Sequence, residues 1–245
     1  MLRFQKLTKK YGEKVAVREL DLEVFRGELF VFLGPNGAGK TTTIKMLTGL
    51  IFPTSGNIQI RGMDIVERHL EIKKILAYVP DEPYLYDKLT GREFLRFVAQ
   101  MYGIDSSVAE AKIEELAGMF GAKDYLDQLC ETYSHGMKQR VVIAAMLLHS
   151  PEIAVIDEPM VGLDPQSARL FKDIMREMTA RGGTIFMSTH SLHVAQELAD
   201  RIGIIQRGRL VALGTFEQLQ RRFQAQEKNL EELFLEITAT ADLEE

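Results

Sequence analysis

A glycine-rich segment near the N-terminus has a spacing of glycine, lysine and threonine that is typical of loops that hold phosphate groups. Residues 34–41 read GPNGAGKT and match the pattern G-x-x-x-x-G-K-[ST]. A strand-like apolar run, residues 30–33, comes directly before them, and a helical pattern, residues 42–50, follows. Glycines let the backbone N–H groups turn towards one point, and the helix N-terminus adds the positive end of its dipole. The segment therefore predicts that the chain binds the phosphates of a nucleotide.

Individual residues of this loop have separate predicted roles. Lys40 would reach the β- and γ-phosphates, and the Thr41 hydroxyl would ligate Mg²⁺. The other loop residues predicted to contact the nucleotide are Gly34, Asn36, Gly37, Ala38, Gly39 and Thr42. A glycine-rich turn with an unrelated lysine is the alternative, but the whole pattern arises by chance in roughly one chain in a hundred of this size. The loop alone does not distinguish a kinase from a GTPase or an ATPase motor.

A second candidate group lies where an apolar run ends in two carboxylates. Residues 153–156 read IAVI, and Asp157 and Glu158 follow them. Ligands of α/β sheets bind at the carboxyl ends of the strands, which is where Asp157 would lie. Asp157 could hold Mg²⁺, directly or through water, and Glu158 could be the general base that activates the attacking water. A loop that merely begins with acidic residues is the alternative, and the phosphate loop in the same chain favours the functional interpretation.

The composition limits the classes of protein to which the chain can belong. Its 245 residues suffice for one large α/β domain, and its 46% hydrophobic and 27% charged residues are ordinary for a globular protein. The net charge of −5 argues against a general nucleic-acid binder, and the single cysteine, Cys130, excludes an internal disulfide. No run approaches the roughly 20 apolar residues of a membrane helix, and the N-terminus lacks the apolar segment of a signal peptide. We therefore expect an intracellular chain that is soluble by itself.

Strand-like and helical patterns alternate along most of the chain. Several strand-like runs are almost continuously apolar, as expected for parallel strands covered on both faces, and they predict an α/β sheet with crossover helices. These runs are residues 29–33, 75–79, 153–156, 184–187 and 202–205. Residues 2–24 and 57–61 are strand-rich and predict a small antiparallel sheet beside the main one.

Two further regions are predicted to be helical. Residues 90–129 begin with a capping box, Thr90 to Glu93. The apolar residues that follow at helical spacing are predicted to pack, namely Phe94, Phe97, Val98 and Met101. After Gly214, Thr215 can cap a short helix. A later apolar stripe is predicted to pack on the body of the protein, with contact to a partner as the alternative, and it consists of Leu230, Leu233, Phe234 and Ile237.

Three further motifs follow in order along the chain. Residues 133–140 read YSHGMKQR shortly before the acidic strand, residues 162–165 read GLDP after it, and residues 188–190 read STH at the end of the next strand. Together with the phosphate loop and the acidic strand, these motifs resemble the ATPase subunit of ATP-binding cassette transporters. The resemblance extends over residues 2–214 and therefore covers nearly the whole chain.

The resemblance implies a fold and a division of the chain. The fold is of the α/β class, with a P-loop NTPase (RecA-like) core, an antiparallel β subdomain and an inserted α-helical subdomain at about residues 83–150. The ATPase domain would comprise residues 1–214. Residues 215–245 would form a C-terminal helical extension.

The resemblance also implies roles for residues outside the phosphate loop. In this family the serine-glycine motif, here Ser134 and Gly136, completes the ATP site of a second subunit. Ser134 is a good helix N-cap, so its helix can present its N-terminus to the γ-phosphate of that ATP. His190 would contact the γ-phosphate, with an ordinary loop histidine as the alternative. Asp164 would join the two ATP sites across the subunit interface.

Tyr11 matches the aromatic residue that stacks on adenine in this family, although it could instead be an ordinary surface tyrosine. Two positions depart from the family pattern. Asp81 stands where a glutamine commonly senses Mg²⁺ and water, and an aspartate there could ligate Mg²⁺. His135 stands where a glycine is common, and histidine tolerates a positive φ better than a β-branched residue does.

These observations predict an ATP-binding and ATP-hydrolysing subunit that dimerises around two ATP molecules and drives a separate transmembrane permease. The second subunit would be another copy or a homologous ATPase, and no nucleic acid would be bound. The resemblance favours an exporter of the two-component (ABC-2) type, held at the cytoplasmic face of the cell membrane by its permease, which would dock near residues 81–90. The alternatives are an importer subunit, a soluble ATPase of the same class that acts on ribosomes or nucleic acid, a nucleotide-binding scaffold without turnover, and a small-molecule kinase.

Overall fold

The computed structural model of the protein describes residues 1–160, 162–225 and 228–243. In chain order, its strands are β1 (Leu2–Tyr11), β2 (Lys14–Val24), β3 (Leu29–Leu33), β4 (Ser55–Ile60), β5 (Met63–Asp64), β6 (Leu76–Val79), β7 (Ile153–Asp157), β8 (Thr184–Thr189), β9 (Arg201–Gln206) and β10 (Arg209–Gly214). Its helices are α1 (Lys40–Leu47), α2 (His69–Ile75), α3 (Gly91–Met101), α4 (Ser106–Met119), α5 (His135–Leu148), α6 (Pro165–Ala180), α7 (Leu192–Leu198), α8 (Phe216–Arg222) and α9 (Leu230–Leu243). Within these ranges, no helix is long and apolar enough to cross a membrane.

The larger sheet has six strands in the order β10-β9-β3-β8-β7-β6. Its five strands from β9 to β6 are parallel, which confirms the α/β sheet predicted from the apolar runs. Alternate residues of β3 enter two different hydrophobic cores, because Val31 faces the side of α5 and α6 while Phe30 and Phe32 face the side of α1. The second predicted run was placed one residue early, since Ile75 ends α2 and β6 begins at Leu76.

The edge strand β10 was not predicted. It pairs antiparallel with β9, and Gln206 lies opposite Arg209. The two residues between them, Arg207 and Gly208, have φ values of 47° and 81°, as a two-residue hairpin of type I′ requires. The sequence has Arg-Gly here instead of the more usual Asn-Gly or Asp-Gly, so it contains only a weak signal for this hairpin turn.

The smaller sheet is antiparallel in the order β2-β1-β4-β5, as the strand-rich N-terminal residues predict. Its buried face joins the α1 side of the core through the side chains of Phe4, Leu20 and Ile58. The Phe4 ring lies 5.9 Å from the ring of Phe186 on β8, measured between centroids. This contact fixes the smaller sheet against the larger one, next to the helix that follows the phosphate loop.

The helical insert consists of α3, α4 and α5, and Thr90 forms the predicted capping box at the start of α3. The prediction of helix up to residue 129 was wrong, because α4 ends at Met119 and Gly121 then takes a φ of 60°, which a helix cannot continue. Two of the predicted packing positions were also wrong. Phe97 and Met101 are exposed, because α3 is apolar on more than one face and buries Leu95 and Ala99 instead, with Phe94 and Val98 half-buried against the core.

The C-terminal stripe packs on the body of the protein, as predicted. Leu230, Leu233 and Ile237 of α9 are buried in the main core, and the backbone N–H of Leu230 donates to Gln196 Oε1 of α7 at 3.3 Å. Thr215 caps α8 with its hydroxyl. The division of the chain at residue 214 stays a prediction.

Candidate functional site

The phosphate loop joins the end of β3 to the start of α1. Gly37 and Gly39 have φ values of 79° and 112°, in a region that other residues rarely adopt. A Cβ at Gly39 would lie 2.5 Å from the carbonyl oxygen of Ala16, whereas a Cβ at Gly37 would meet no atom within 4 Å. The loop is therefore packed against β2 at Gly39 and open at Gly37. The first N–H groups of α1 have no acceptor within the helix.

A cavity of about 630 Å³ lies in front of this loop. Most of the predicted nucleotide-binding, metal-binding and catalytic residues line it, namely Tyr11, Asn36, Gly37, Gly39, Lys40, Thr41, Thr42, Asp81 and Glu158. Gly34 and Ala38 are buried behind the loop, where the carbonyl oxygen of Ala38 accepts the N–H of Gly208 at 2.8 Å. The β9–β10 hairpin thus supports the loop through this backbone hydrogen bond.

Three cations that sequence reasoning missed also line the cavity: Lys14, Arg18 and Arg207. Lys14 and Arg18 lie on β2, close after Tyr11 in the sequence. Arg207 lies in the hairpin turn, and the backbone N–H of Arg18 donates to Gly208 at 2.8 Å. The basic residues of β2 were a usable sign in the sequence, but nothing local to Arg207 indicates that its turn reaches the phosphate loop.

Lys40 is buried at the floor of the cavity. Its Nζ donates to the carbonyl oxygens of Gly34 at 2.7 Å and Pro35 at 3.2 Å, and it lies 3.8 Å from Glu158 Oε1. Burial lowers the pKa of Lys40, and the nearby carboxylates of Glu158, Asp157 and Asp81 act in the opposite direction. The ammonium group therefore contacts carbonyl oxygens of its own loop, and a bound phosphate could replace these acceptors.

The two carboxylates at the end of β7 face different surroundings. Asp157 is buried, and its Oδ1 accepts a hydrogen bond from the hydroxyl of Ser188. Its Oδ2 is also buried, with no hydrogen-bond partner among the described residues. An ionised oxygen in that position costs free energy unless it is satisfied, so it fits a hydrated or directly bound cation.

Three residues hold Glu158 at the edge of the cavity: Ser188 and Thr189 at the end of the neighbouring strand β8, and His190, which follows that strand. Its φ is 47°, and its backbone N–H donates to Ser188 at 3.1 Å. Oε2 accepts from Thr189 Oγ1 at 3.0 Å, and Oε1 lies 2.9 Å from His190 Nδ1. The side chain of His190 is 58% exposed, so it can reach other groups on the same side.

Asp81 follows β6 and is exposed at the cavity. Burial raises the pKa of Tyr78 to about 12, and the charges of Asp157 and Asp81 add to this effect. Asp81 therefore lies within electrostatic reach of Tyr78, and its charge also acts on Lys40. Its role as a metal ligand stays a prediction.

The serine-glycine motif lies at the N-terminus of α5. Ser134 is the predicted N-cap, since its Oγ accepts the backbone N–H of Met137 at 3.3 Å. Neither Ser134 nor Gly136 lines the cavity of Lys40. His135 is the first residue of α5 and does not have a positive φ, and its imidazole lies so close to Gly162 that a Cβ there would be 2.1 Å from it.

Asp164 has partners within its own chain. It is the N-cap of α6, and it accepts hydrogen bonds from the backbone N–H groups of Gln166 and Ser167. It also forms an ion pair with Arg140 of α5. The hydrogen bonds from Ser167 and then Arg140 hold the pKa of Asp164 well below its usual range. The Asp164 carboxylate therefore joins α5 to α6, and its role across a subunit interface stays a prediction.

Tyr11 is half exposed at the mouth of the cavity, with the Lys9 ammonium 5.2 Å from its ring centroid. We expect Tyr11→Ala to weaken ATP binding by about 1–3 kcal/mol, the usual contribution of a base stacked on an aromatic ring. Tyr11→Phe should keep the affinity, because the proposed contact is a ring face and not the hydroxyl. Isothermal titration with ATP measures both, and a loss in the phenylalanine variant as large as in the alanine variant would exclude stacking.

Comparisons with known proteins agree with this geometry. The family model described as ABC transporter matches residues 17–161, more than half of the chain. The linearmycin resistance ATP-binding protein LnrL of Bacillus subtilis is 39% identical over 88% of this chain and 69% of its own length. The probable multidrug ABC transporter ATP-binding protein YbhF of Escherichia coli is 37% identical over 98% of this chain, which spans only 42% of YbhF.

A solved structure described as the ATP binding subunit of an ABC transporter matches with a TM-score of 0.92. It is 35% identical, and the match covers 97% of this chain and 99% of that one. The described P-loop core, antiparallel sheet and helical insert therefore have the fold of a solved subunit of this kind. The chain belongs to the ABC transporter family, as an ATP-binding subunit that hydrolyses ATP.

Proposed function

We propose that this chain is the motor subunit of an exporter, in which two copies close around two Mg²⁺-ATP molecules and drive a separate permease. The observation that carries the proposal is the Glu158 carboxylate at the cavity edge, next to Lys40 and in contact with His190. A carboxylate beside a phosphate-binding lysine can accept a proton from water. That arrangement favours turnover over a nucleotide-binding scaffold.

Residues that line the cavity, together with the buried Asp157, would have separate roles in hydrolysis. Lys40 and the first N–H groups of α1 would bind the β- and γ-phosphates. Thr41, Asp157 and Asp81 would hold Mg²⁺, which neutralises charge on the phosphates when it is bound. Glu158 would accept a proton from the attacking water while the water oxygen bonds to the γ-phosphorus. The bond between the γ-phosphorus and the oxygen that bridges it to the β-phosphate then breaks, and ADP is the leaving group.

A second copy is needed because the serine-glycine motif lies outside the Lys40 cavity of its own chain. The 14-residue helix α5 begins at this motif, with Ser134 as its cap. Its first N–H groups and the positive end of its dipole favour a negatively charged ligand. The γ-phosphate of an ATP bound by another copy would provide that charge, and two such contacts would close a symmetric dimer.

The permease would dock on an exposed apolar patch, which we define as the three clustered rings of Tyr84, Tyr86 and Phe97 together with Met101, one helical turn after Phe97 on α3. Tyr84 is 73% exposed and Met101 71% exposed. The Tyr86 ring meets the rings of Tyr84 and Phe97 edge to face, at 5.9 and 5.6 Å between centroids. Exposed apolar groups that cluster in this way mark interaction surfaces. Tyr84 and Tyr86 follow Asp81 by three and five positions in the sequence, so a partner bound there could affect the ATP cavity.

The names of the relatives support export over import and over a ribosomal role, since one is called a linearmycin resistance ATP-binding protein and another a probable multidrug ABC transporter ATP-binding protein. Through its permease the chain would be peripheral at the cytoplasmic face of the cell membrane. No basic amphipathic helix that could hold it on lipid directly is evident among the described residues.

Isolation of the tagged chain from solubilised membranes of its own host tests this proposal. We expect a polytopic membrane protein to co-purify with it, and Tyr84→Ser combined with Tyr86→Ser to remove that protein. Two exposed apolar residues outside the patch, Val108 and Leu235, provide a matched control pair of serine substitutions that should keep it. Equal recovery with both pairs, or strong binding of the chain to bare liposomes, would contradict the proposed docking.

A further inference from the structure

We propose that Thr189 is a positioning residue for ATP hydrolysis, whose hydroxyl fixes the rotation of the Glu158 carboxylate so that Oε1 takes the proton from water. The proposal rests on the role of Glu158 as general base under the proposed function. It concerns how this carboxylate is oriented.

The hydrogen bonds of Thr189 determine which way its hydroxyl points. Thr189 is the last residue of β8 and is only 2% exposed. Its Oγ1 accepts the backbone N–H of Ser191 at 3.0 Å and lies 3.0 Å from Glu158 Oε2. A carboxylate can only accept, so the single hydroxyl hydrogen is directed at Oε2. Thr189 itself does not line the ATP cavity.

The two oxygens of Glu158 are thereby made different. Oε2 is occupied by the buried hydroxyl of Thr189. Oε1 faces Lys40, 3.8 Å away, and His190, 2.9 Å away. Under the proposed function, Lys40 and His190 would turn towards phosphate when ATP is bound, which would leave Oε1 as the free base. The backbone of Glu158 is already fixed by its bond to Ser188, so the hydroxyl of Thr189 restrains the remaining rotation of the side chain.

Thr189→Val keeps the shape of the side chain and removes the hydroxyl. We expect kcat for ATP hydrolysis to fall about tenfold or more, the usual effect of losing a hydrogen bond to a charged group. The dissociation constant for ATP should change less than about twofold, since Thr189 is outside the cavity.

Two further variants separate positioning from a loss of structure. Thr189→Ser retains the hydroxyl and should restore most of the kcat lost in the valine variant. In a Glu158→Gln background, Thr189→Val should change the residual single-turnover rate less than about twofold, because the carboxylate through which it acts is gone. Thermal unfolding of each protein shows whether the fold is kept.

The outcomes are distinct. A valine variant with normal kcat, a serine variant as slow as the valine one, or an equal loss in the Glu158→Gln background would overturn the role of Thr189. If instead Glu158→Gln alone kept normal turnover, Glu158 would not be the base, and the hydrolysis roles assigned under the proposed function would themselves fail. The same set of rate measurements reports both results.

Discussion

Replacing Lys40 with alanine should abolish tight binding of Mg²⁺-ATP. Lys40 is the buried cation at the floor of the cavity, and its Nζ is held by carbonyl oxygens of its own loop, 2.7 and 3.2 Å away. A multiply charged phosphate chain would replace these neutral acceptors with stronger, charge-assisted ones. The backbone N–H groups alone cannot balance that charge, so we expect affinity to fall by about 100-fold or more.

Isothermal titration calorimetry of the purified protein with Mg²⁺-ATP measures this loss. Lys45 is the matched control, because it lies in the last turn of the same helix α1 and is exposed. Lys45→Ala should bind ATP as the unchanged protein does. Near-normal affinity in Lys40→Ala would mean that residues 34–41 are not the phosphate site.

The phosphate site could be predicted from sequence because its geometry is local. Lys40 bonds the carbonyl oxygen of Gly34, only six positions away, so one continuous motif contains both the loop and its cation. The strand that carries Asp157 was predictable for a similar reason, since a run of buried residues ends directly at the carboxylate.

What could not be predicted depends on contacts between distant segments. Thr189 reaches Glu158 across 31 positions, through the pairing of β7 with β8. Arg207 lines the ATP cavity only because the β9–β10 hairpin folds onto the phosphate loop. The exposure of Phe97 depends on which face of α3 meets α4 and α5, and helical spacing fits either face. Periodicity specifies an element and its apolar positions, but it does not specify the neighbour that covers them.

Replacing Glu158 with glutamine should leave ATP binding intact and slow turnover by about 10²–10⁴-fold, the usual contribution of a positioned general base. The amide has nearly the same size and can still accept from Thr189, but it cannot take a proton from water. Lys40, Thr41 and the backbone N–H groups still bind the phosphates. Release of phosphate under saturating ATP measures the effect, and Glu152→Gln is the control, because Glu152 is partly exposed and paired with Arg61 at 2.7 Å.

Slow turnover has a second expected consequence, because ATP that is not hydrolysed stays in the site. If α5 of one copy closes the cavity of another, the Glu158→Gln protein should be a monomer without nucleotide and a dimer with ATP. ADP should not support the dimer, since it lacks the γ-phosphate that the N-terminus of α5 would meet. Size-exclusion chromatography with light scattering distinguishes the three conditions.

The dimer can be traced to α5 by a substitution outside the Lys40 cavity. Ser134→Arg, added to Glu158→Gln, removes the N-cap hydroxyl and places a bulky side chain where the partner's γ-phosphate would lie. The double variant should still bind ATP through Lys40 and Tyr11 but remain a monomer. A Glu158→Gln protein that stays monomeric with saturating ATP at high concentration would exclude closure around two nucleotides. ATP hydrolysis would then have to be coupled to the permease through a conformational change within a single chain. The contact of Glu158 with His190, which lies next to α7, would be the starting point of that change.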